Sequence, residues 1–129
     1  MGMFQTASVV GAVRRTIEST YTDLMTVSVM TDIKDDVFDD KCEQAVIENE
    51  PCRISYKTDL TASRASSGDG AANVEQTVEL FCRPELDIPA GCKISVVRNG
   101  VRCDYCRSGE PSRYDTHQEV SLALFKRWA

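Results

Sequence analysis

Lys93-Ile94-Ser95-Val96-Val97-Arg98-Asn99-Gly100-Val101-Arg102-Cys103-Asp104-Tyr105 reads as a β-hairpin, and the rest of the chain can be ordered around it. Asn-Gly is the preferred two-residue type I′ turn because both residues tolerate positive φ. A turn there pairs Arg98 with Val101, Val97 with Arg102, Val96 with Cys103, Ser95 with Asp104, and Ile94 with Tyr105. One face then carries Ile94, Val96, Cys103 and Tyr105. The other carries Lys93, Ser95, Val97, Arg102, Asp104 and Cys106. A slip of one residue would exchange the two faces. Turn chemistry and apolar pattern fix the same register independently.

Strand signals continue on both sides. Upstream, Ile88-Pro89-Ala90-Gly91 fits a type I turn, with Pro at the second position and Gly at the fourth. Before it, Val78, Leu80 and Cys82 alternate with Thr77, Glu79 and Phe81 until Pro84. Met25, Val27 and Val29 alternate with Thr26, Ser28 and Met30, as a half-buried strand does. Ala45 to Glu48 and Cys52 to Lys57 read as further strands, with Pro51 at their joint. Downstream, Thr116 to Leu124 puts Val120, Leu122 and Leu124 inward, and Glu119, Ser121 and Ala123 outward. Phe125 and Trp128 follow it.

Two stretches break this period. From Met3 to Tyr21, Met3, Ala7, Val10, Ile17 and Tyr21 recur at helical steps, which predicts an amphipathic helix, packed on the core in preference to serving as a docking element. Residues 58–73 hold Ser63, Arg64, Ser66, Ser67, Gly68, Asp69 and Gly70 and almost no large apolar side chain, which predicts a long excursion between strands. The fold class is therefore mainly β: a small β-barrel or sandwich of about six antiparallel strands with an N-terminal α-helix and one long loop. One domain, 1–129, is laid out as helix 3–21, first strands 22–57, long flexible loop 58–73, remaining strands 74–124 with the 92–107 hairpin, and tail 125–129.

The 129 residues suffice for one core, since a chain this long buries roughly two-thirds of its unfolded surface. Fifteen basic against twenty acidic side chains leave a net charge of −5, which argues against whole-surface binding to nucleic acid. The opening stretch has no basic n-region, and no segment reaches the 18 or so apolar residues of a membrane span. Synthesis in the cytoplasm is expected, with the six cysteines as thiols.

Chemistry-bearing motifs are scarce. Asp32, Asp35, Asp36, Asp39 and Asp40 lack the spacing and the glycine of a calcium loop, so they read as a solvated turn. Cys103 and Cys106 have zinc-knuckle spacing, but no second C-x-x-C or Cys/His pair accompanies them. The hairpin register also sends the two to opposite faces, so thiols packing as small hydrophobes are the better reading. His117 falls on an outward position beside Gln118 and Glu119, a place for a surface or hydrogen-bonded imidazole. No nucleophile elbow, phosphate loop or dinucleotide fingerprint is present, so neither an enzyme nor a cofactor is expected.

Several stretches together resemble the head-closure (head-completion, stopper or head–tail connector) proteins of long-tailed bacteriophages and prophages. They are Pro51-Cys52-Arg53-Ile54-Ser55, Glu79-Leu80-Phe81, Ile88-Pro89-Ala90-Gly91 leading into Lys93-Ile94, and the Asn99-Gly100 turn. Tyr105, Ser108-Gly109-Glu110-Pro111, Tyr114, Thr116-His117-Gln118-Glu119-Val120 and Leu124-Phe125-Lys126-Arg127-Trp128-Ala129 continue the likeness. The resemblance implies a virion structural protein at the neck, assembled in the host bacterial cytoplasm. Copies would form a homo-oligomeric ring, with portal or connector proteins above and tail proteins below, that helps retain packaged DNA. Double-stranded DNA would pass through the channel without specific binding, and no membrane would be involved. On that reading Ser63, Arg64, Ser66, Ser67, Gly68, Asp69 and Gly70 would hang into the channel or reach a neighbouring subunit, and Phe125 and Trp128 would form an assembly tail. The six cysteines depart from what the resemblance leads one to expect.

A second class is a cytoplasmic small-barrel module that binds a peptide or single-stranded nucleic acid. Tyr105, Arg107, Arg113 and Tyr114 approach the required mix of stacking aromatics and cations, although acidic residues interrupt them. A zinc-stabilised domain is the third and weakest.

Overall fold

A computed structural model describes residues 2–34, 39–59 and 75–128. In chain order the elements are α1 (Gly2–Glu18), β1 (Asp23–Lys34), β2 (Asp39–Asp59), β3 (Glu75–Cys82), β4 (Lys93–Arg98), β5 (Val101–Arg107), β6 (Ser112–Arg113) and β7 (Gln118–Leu124). The seven strands form one antiparallel sheet in the order β3-β2-β1-β4-β5-β7-β6, and an extra ladder between β3 and β7 closes six of them into a ring. Closure pairs the edges that a two-layer sandwich would leave open.

The β4–β5 hairpin has the register that its turn dictates, from Arg98 opposite Val101 to Lys93 opposite Cys106. Asn99 and Gly100 take φ of 51° and 78°, as a type I′ turn requires. Ile94, Val96 and Tyr105 face the ring interior, where Met25, Val27, Cys52, Ile54, Leu80, Cys82, Val120 and Leu122 join them. The 83–92 connection adds Leu86, Ile88 and Cys92 to the same core. Asp23 is buried at the start of β1, accepts a hydrogen bond from the Ile54 amide (3.1 Å), and lies 3.8 Å from the Arg98 guanidinium. That carboxylate ties β1 to both of its neighbours.

Five expectations change. The helix ends at Glu18, and turn hydrogen bonds from Ser19, Thr20 and Tyr21 close it, so 19–21 lie outside it. Nor does its described part pack on the core: none of residues 9–18 belongs to the core cluster, and Val9 and Val13 are exposed.

Pro51 does not end a strand. It lies inside β2 opposite Leu24, on a stretch where β3 has not yet joined, so its missing N–H leaves no ladder bond unmade. Asp32, Asp39 and Asp40 likewise belong to strands, because β1 and β2 run on as a hairpin past the expected turn. Leu124 points out at 63% exposure, since β7 passes the last β3 pair, at Leu122, before reaching it. The loop assigned to 58–73 falls outside the described residues, apart from Thr58 and Asp59, which still pair in β2.

Register slips mark where β1 and β2 leave the ring. Glu48 and Asn49 stand opposite the single Thr26, and Val46 is inserted between the partners of Val27 and Ser28. Asn49 takes φ of 50°, a conformation that Asn tolerates better than most residues. Bulges sharpen the local twist. Beyond them β4 no longer accompanies β1, since its pairing covers Leu24 to Ser28. Val29–Lys34 and Asp39–Gln44 therefore continue as a two-stranded ribbon of six residue pairs, about 20 Å long. No described helix is long and apolar enough to cross a membrane, which says nothing about strands.

Candidate functional site

The ribbon segment holds most of the chain's net charge. Residues 29–44 contain six carboxylates (Asp32, Asp35, Asp36, Asp39, Asp40, Glu43) and two lysines (Lys34, Lys41), a net of 2 − 6 = −4. The remaining thirteen basic and fourteen acidic side chains give −1, so most of the excess belongs to this one segment. Asp32, Lys41, Cys42, Glu43, Gln44, Ala45 and Val46 are all exposed. An isolated two-stranded hairpin is marginal in water. This one is anchored at its base by Lys93 of β4, which forms an ion pair with Glu43.

A second feature lies where α1 meets the ring. Arg14 donates to both Glu18 (2.8 Å) and Glu85 (Nη1 to Oε2, 3.0 Å), fastening the helix to the connection after β3. The hydrogen bond from Arg14 holds the Glu85 carboxyl below its ordinary range. Beside this clasp is a cleft of about 300 Å³ lined by Ile17, Thr20, Tyr21, Arg53, Phe81 and His117, with Thr16 at its edge. The Arg53 guanidinium lies 5.2 Å over the Phe81 ring. His117 stacks on Tyr114 at 4.9 Å, hydrogen-bonds Thr116 through Nδ1 (2.9 Å), and sets Nε2 3.5 Å from the Glu119 carboxylate. The Tyr21 hydroxyl is enclosed and has no hydrogen-bond partner among the described residues, and burial pushes it up to about 12.

The tail is the third. Phe125 and Trp128 meet edge to face at 5.1 Å, and Lys93 Nζ sits 5.4 and 5.8 Å from their ring centres. The Phe125 amide donates to the Asp104 carbonyl (3.0 Å). Both aromatics are thus packed against their own barrel, around the lysine that braces the ribbon.

The other candidate residues divide cleanly. Ser63, Arg64, Ser66, Ser67, Gly68, Asp69 and Gly70 lie outside the described residues. Cys103 and Cys106 sit on opposite faces of β5, directly across from Val96 and Lys93 respectively, and no group of three or more His, Cys, Asp or Glu suited to a metal occurs among the described residues. Cys52, Cys82 and Cys92 are fully buried, and desolvation lifts the first two thiols to about 12. Such thiols stay protonated and unreactive.

Tyr105 is in the core, its hydroxyl 3.3 Å from that of Tyr56, so it offers no surface for a base. Arg107 and Arg113 donate to the carbonyls of Ile88 (2.8 Å) and Leu86 (3.4 Å), and Tyr114 covers His117. The expected nucleic-acid cluster is not assembled.

Gln118 escaped the sequence reading. It is fully buried, and its Nε2 donates to the carbonyls of Arg83 (2.9 Å) and Leu86 (2.8 Å), pinning the 83–92 connection over the core. Strand parity with Val120 and Leu122 was the available signal.

No protein-family model and no curated protein matches the chain. Among solved structures, the phage-like element PBSX protein xkdH of Bacillus subtilis is similar over 79% of this chain and 93% of its own, with a TM-score of 0.46 and 8% identity. At that distance the likeness leaves residue roles untouched.

Proposed function

We propose that the chain is a head-closure, or head–tail connector, ring subunit of a long-tailed phage or prophage, acting through shape and assembly rather than catalysis. The observation that carries this reading is the projecting acidic ribbon. A closed, filled ring needs no such arm for its own stability, whereas a subunit that must reach a neighbour does. The resemblance in the strand and turn sequences supports the same reading. Portal or connector proteins would lie above the ring and tail proteins below it. A near-neutral body with most of the net negative charge on one arm suits a ring that lets DNA pass without gripping it.

Removal of the gene from its phage tests this. Expected are DNA-filled heads that leak their DNA and join no tails, with both defects repaired by adding the purified protein to the extracts. Normal infectious particles from the deletion strain would reject the proposal.

A further inference from the structure

The register sets two of the six cysteines side by side. β2 and β3 pair from Asp59 opposite Glu75 to Arg53 opposite Phe81. One step further along both strands stand Cys52 and Cys82. Both are fully buried members of the core cluster, so both thiols point to the same inner face. Charge on Cys82 would raise the Cys52 thiol, and both raise the enclosed Tyr21 hydroxyl, which puts the two sulfurs in one neighbourhood. The other four are placed differently. Cys103 and Cys106 face opposite sides of β5, Cys42 is exposed on the ribbon, and Cys92 ends the 83–92 connection.

One hydrogen bond fixes the kind of position the pair occupies. The Ile54 amide donates to the Asp23 carboxylate (3.1 Å), so the backbone groups of Ile54 point towards β1. Those of Cys52, two residues earlier and opposite Asp23, point the same way. Arg53, between them, turns its own towards β3. Cys52 and Cys82 therefore stand at a non-hydrogen-bonded site, where Cα atoms lie about 4.5 Å apart and side chains come closest. That separation falls within the range of roughly 4.4–6.8 Å that a disulfide spans. Pro51 has no amide with which to carry the ladder further, so the backbone leaves this end of the β2–β3 seam unfastened.

We infer that Cys52 and Cys82 form a reversible disulfide, a redox staple that fastens β3 to β2 where their ladder stops. The oxidant is a small disulfide such as oxidised glutathione. One protein thiolate attacks it, releasing the first glutathione thiol and leaving a mixed disulfide. The second protein thiolate displaces the other glutathione, also released as a thiol, and the Cys52–Cys82 bond is made. Two protein thiols are oxidised, and their two electrons and two protons leave on the two glutathione molecules. In the folded chain the thiols are shielded and protonated, so the exchange runs while the strands are apart, during folding or transient opening. A reducing compartment keeps the staple open, and an oxidising one closes it. The inference stands independently of the ring-subunit reading.

Refolding the full-length chain from urea in a glutathione redox buffer, followed by alkylation and peptide mapping, tests this. Most molecules should carry a Cys52–Cys82 linkage. They should melt about 10 °C above the same protein in excess reductant, because the bond closes residues 52–82 into a loop. Returning reductant should remove both effects, and Cys82→Ala should melt alike in the two buffers. Cys42→Ser/Cys106→Ser spares the pair and should keep both the linkage and the shift, which provides a reading even if Cys82→Ala does not fold. Free thiols at 52 and 82 after refolding, or linkage to other cysteines in preference, would overturn the inference. So would loss of the shift in Cys42→Ser/Cys106→Ser, or a linked pair that melts no higher than the reduced protein.

Discussion

Gln118 shows how a single polar residue can be legible and still be missed. It occupies an inward position of β7, where the parity of Val120 and Leu122 predicts an apolar side chain, and it is 0% exposed. Its amide is retained because the 83–92 connection brings two carbonyls into the core that no strand can pair. Gln118→Met keeps the length and removes the donor. It is expected to lower stability by about 1–3 kcal/mol in urea denaturation. A change below about 0.5 kcal/mol would show that the Arg83 and Leu86 carbonyls find other partners. Parity identifies an inward residue; it does not say which distant carbonyl will arrive opposite it.

At the scale of elements, the β4–β5 hairpin was fully readable, since turn type and face pattern are both local and agree pair by pair. The β1–β2 hairpin was not. Its acidic residues have the composition of a turn, and Pro51 imitates a boundary, because a strand's edge status depends on neighbours far away in sequence. The helix failed for a related reason: its amphipathic stripe is real, but the ring closes without it. The cleft joins residues from α1, β2, β3 and the 114–117 turn and has no local signature.

The ribbon's independence can be measured. Replacing residues 30–43 with Asn-Gly removes it beyond the Val29–Gln44 pair. The melting temperature should fall by no more than about 4 °C, the shift that about 1 kcal/mol produces in a small domain. A drop several times larger would mean that the ribbon is part of the folding unit.

For the molecule as a whole, burial of thiols and a phenol links stability to alkaline pH. Cys52 and Cys82 are raised from 9.0 to about 12, chiefly by desolvation, and Tyr21 from 10.0 to about 12 for the same reason. Folded pKa values above the unfolded ones mean that the neutral forms favour the folded state. Their contribution is complete below about pH 9 and is lost as pH rises towards about 12. Urea midpoints should therefore be flat from neutral pH to about 9 and fall steadily above it. Cys52→Ala/Cys82→Ala should flatten that alkaline slope while lowering stability at every pH. An unchanged slope in the double variant would assign the loss to other groups.

The closed ring has a further consequence for how the chain survives at high concentration. Circular pairing satisfies most backbone edges of the body, and the longest open ones among the described residues run along the ribbon. Unpaired edges recruit strands from other molecules and seed insoluble cross-β stacks. The six carboxylates of residues 29–44 make any in-register stacking of ribbons self-repelling, so the same charges that suit a specific neighbour act as gatekeepers against indiscriminate ones.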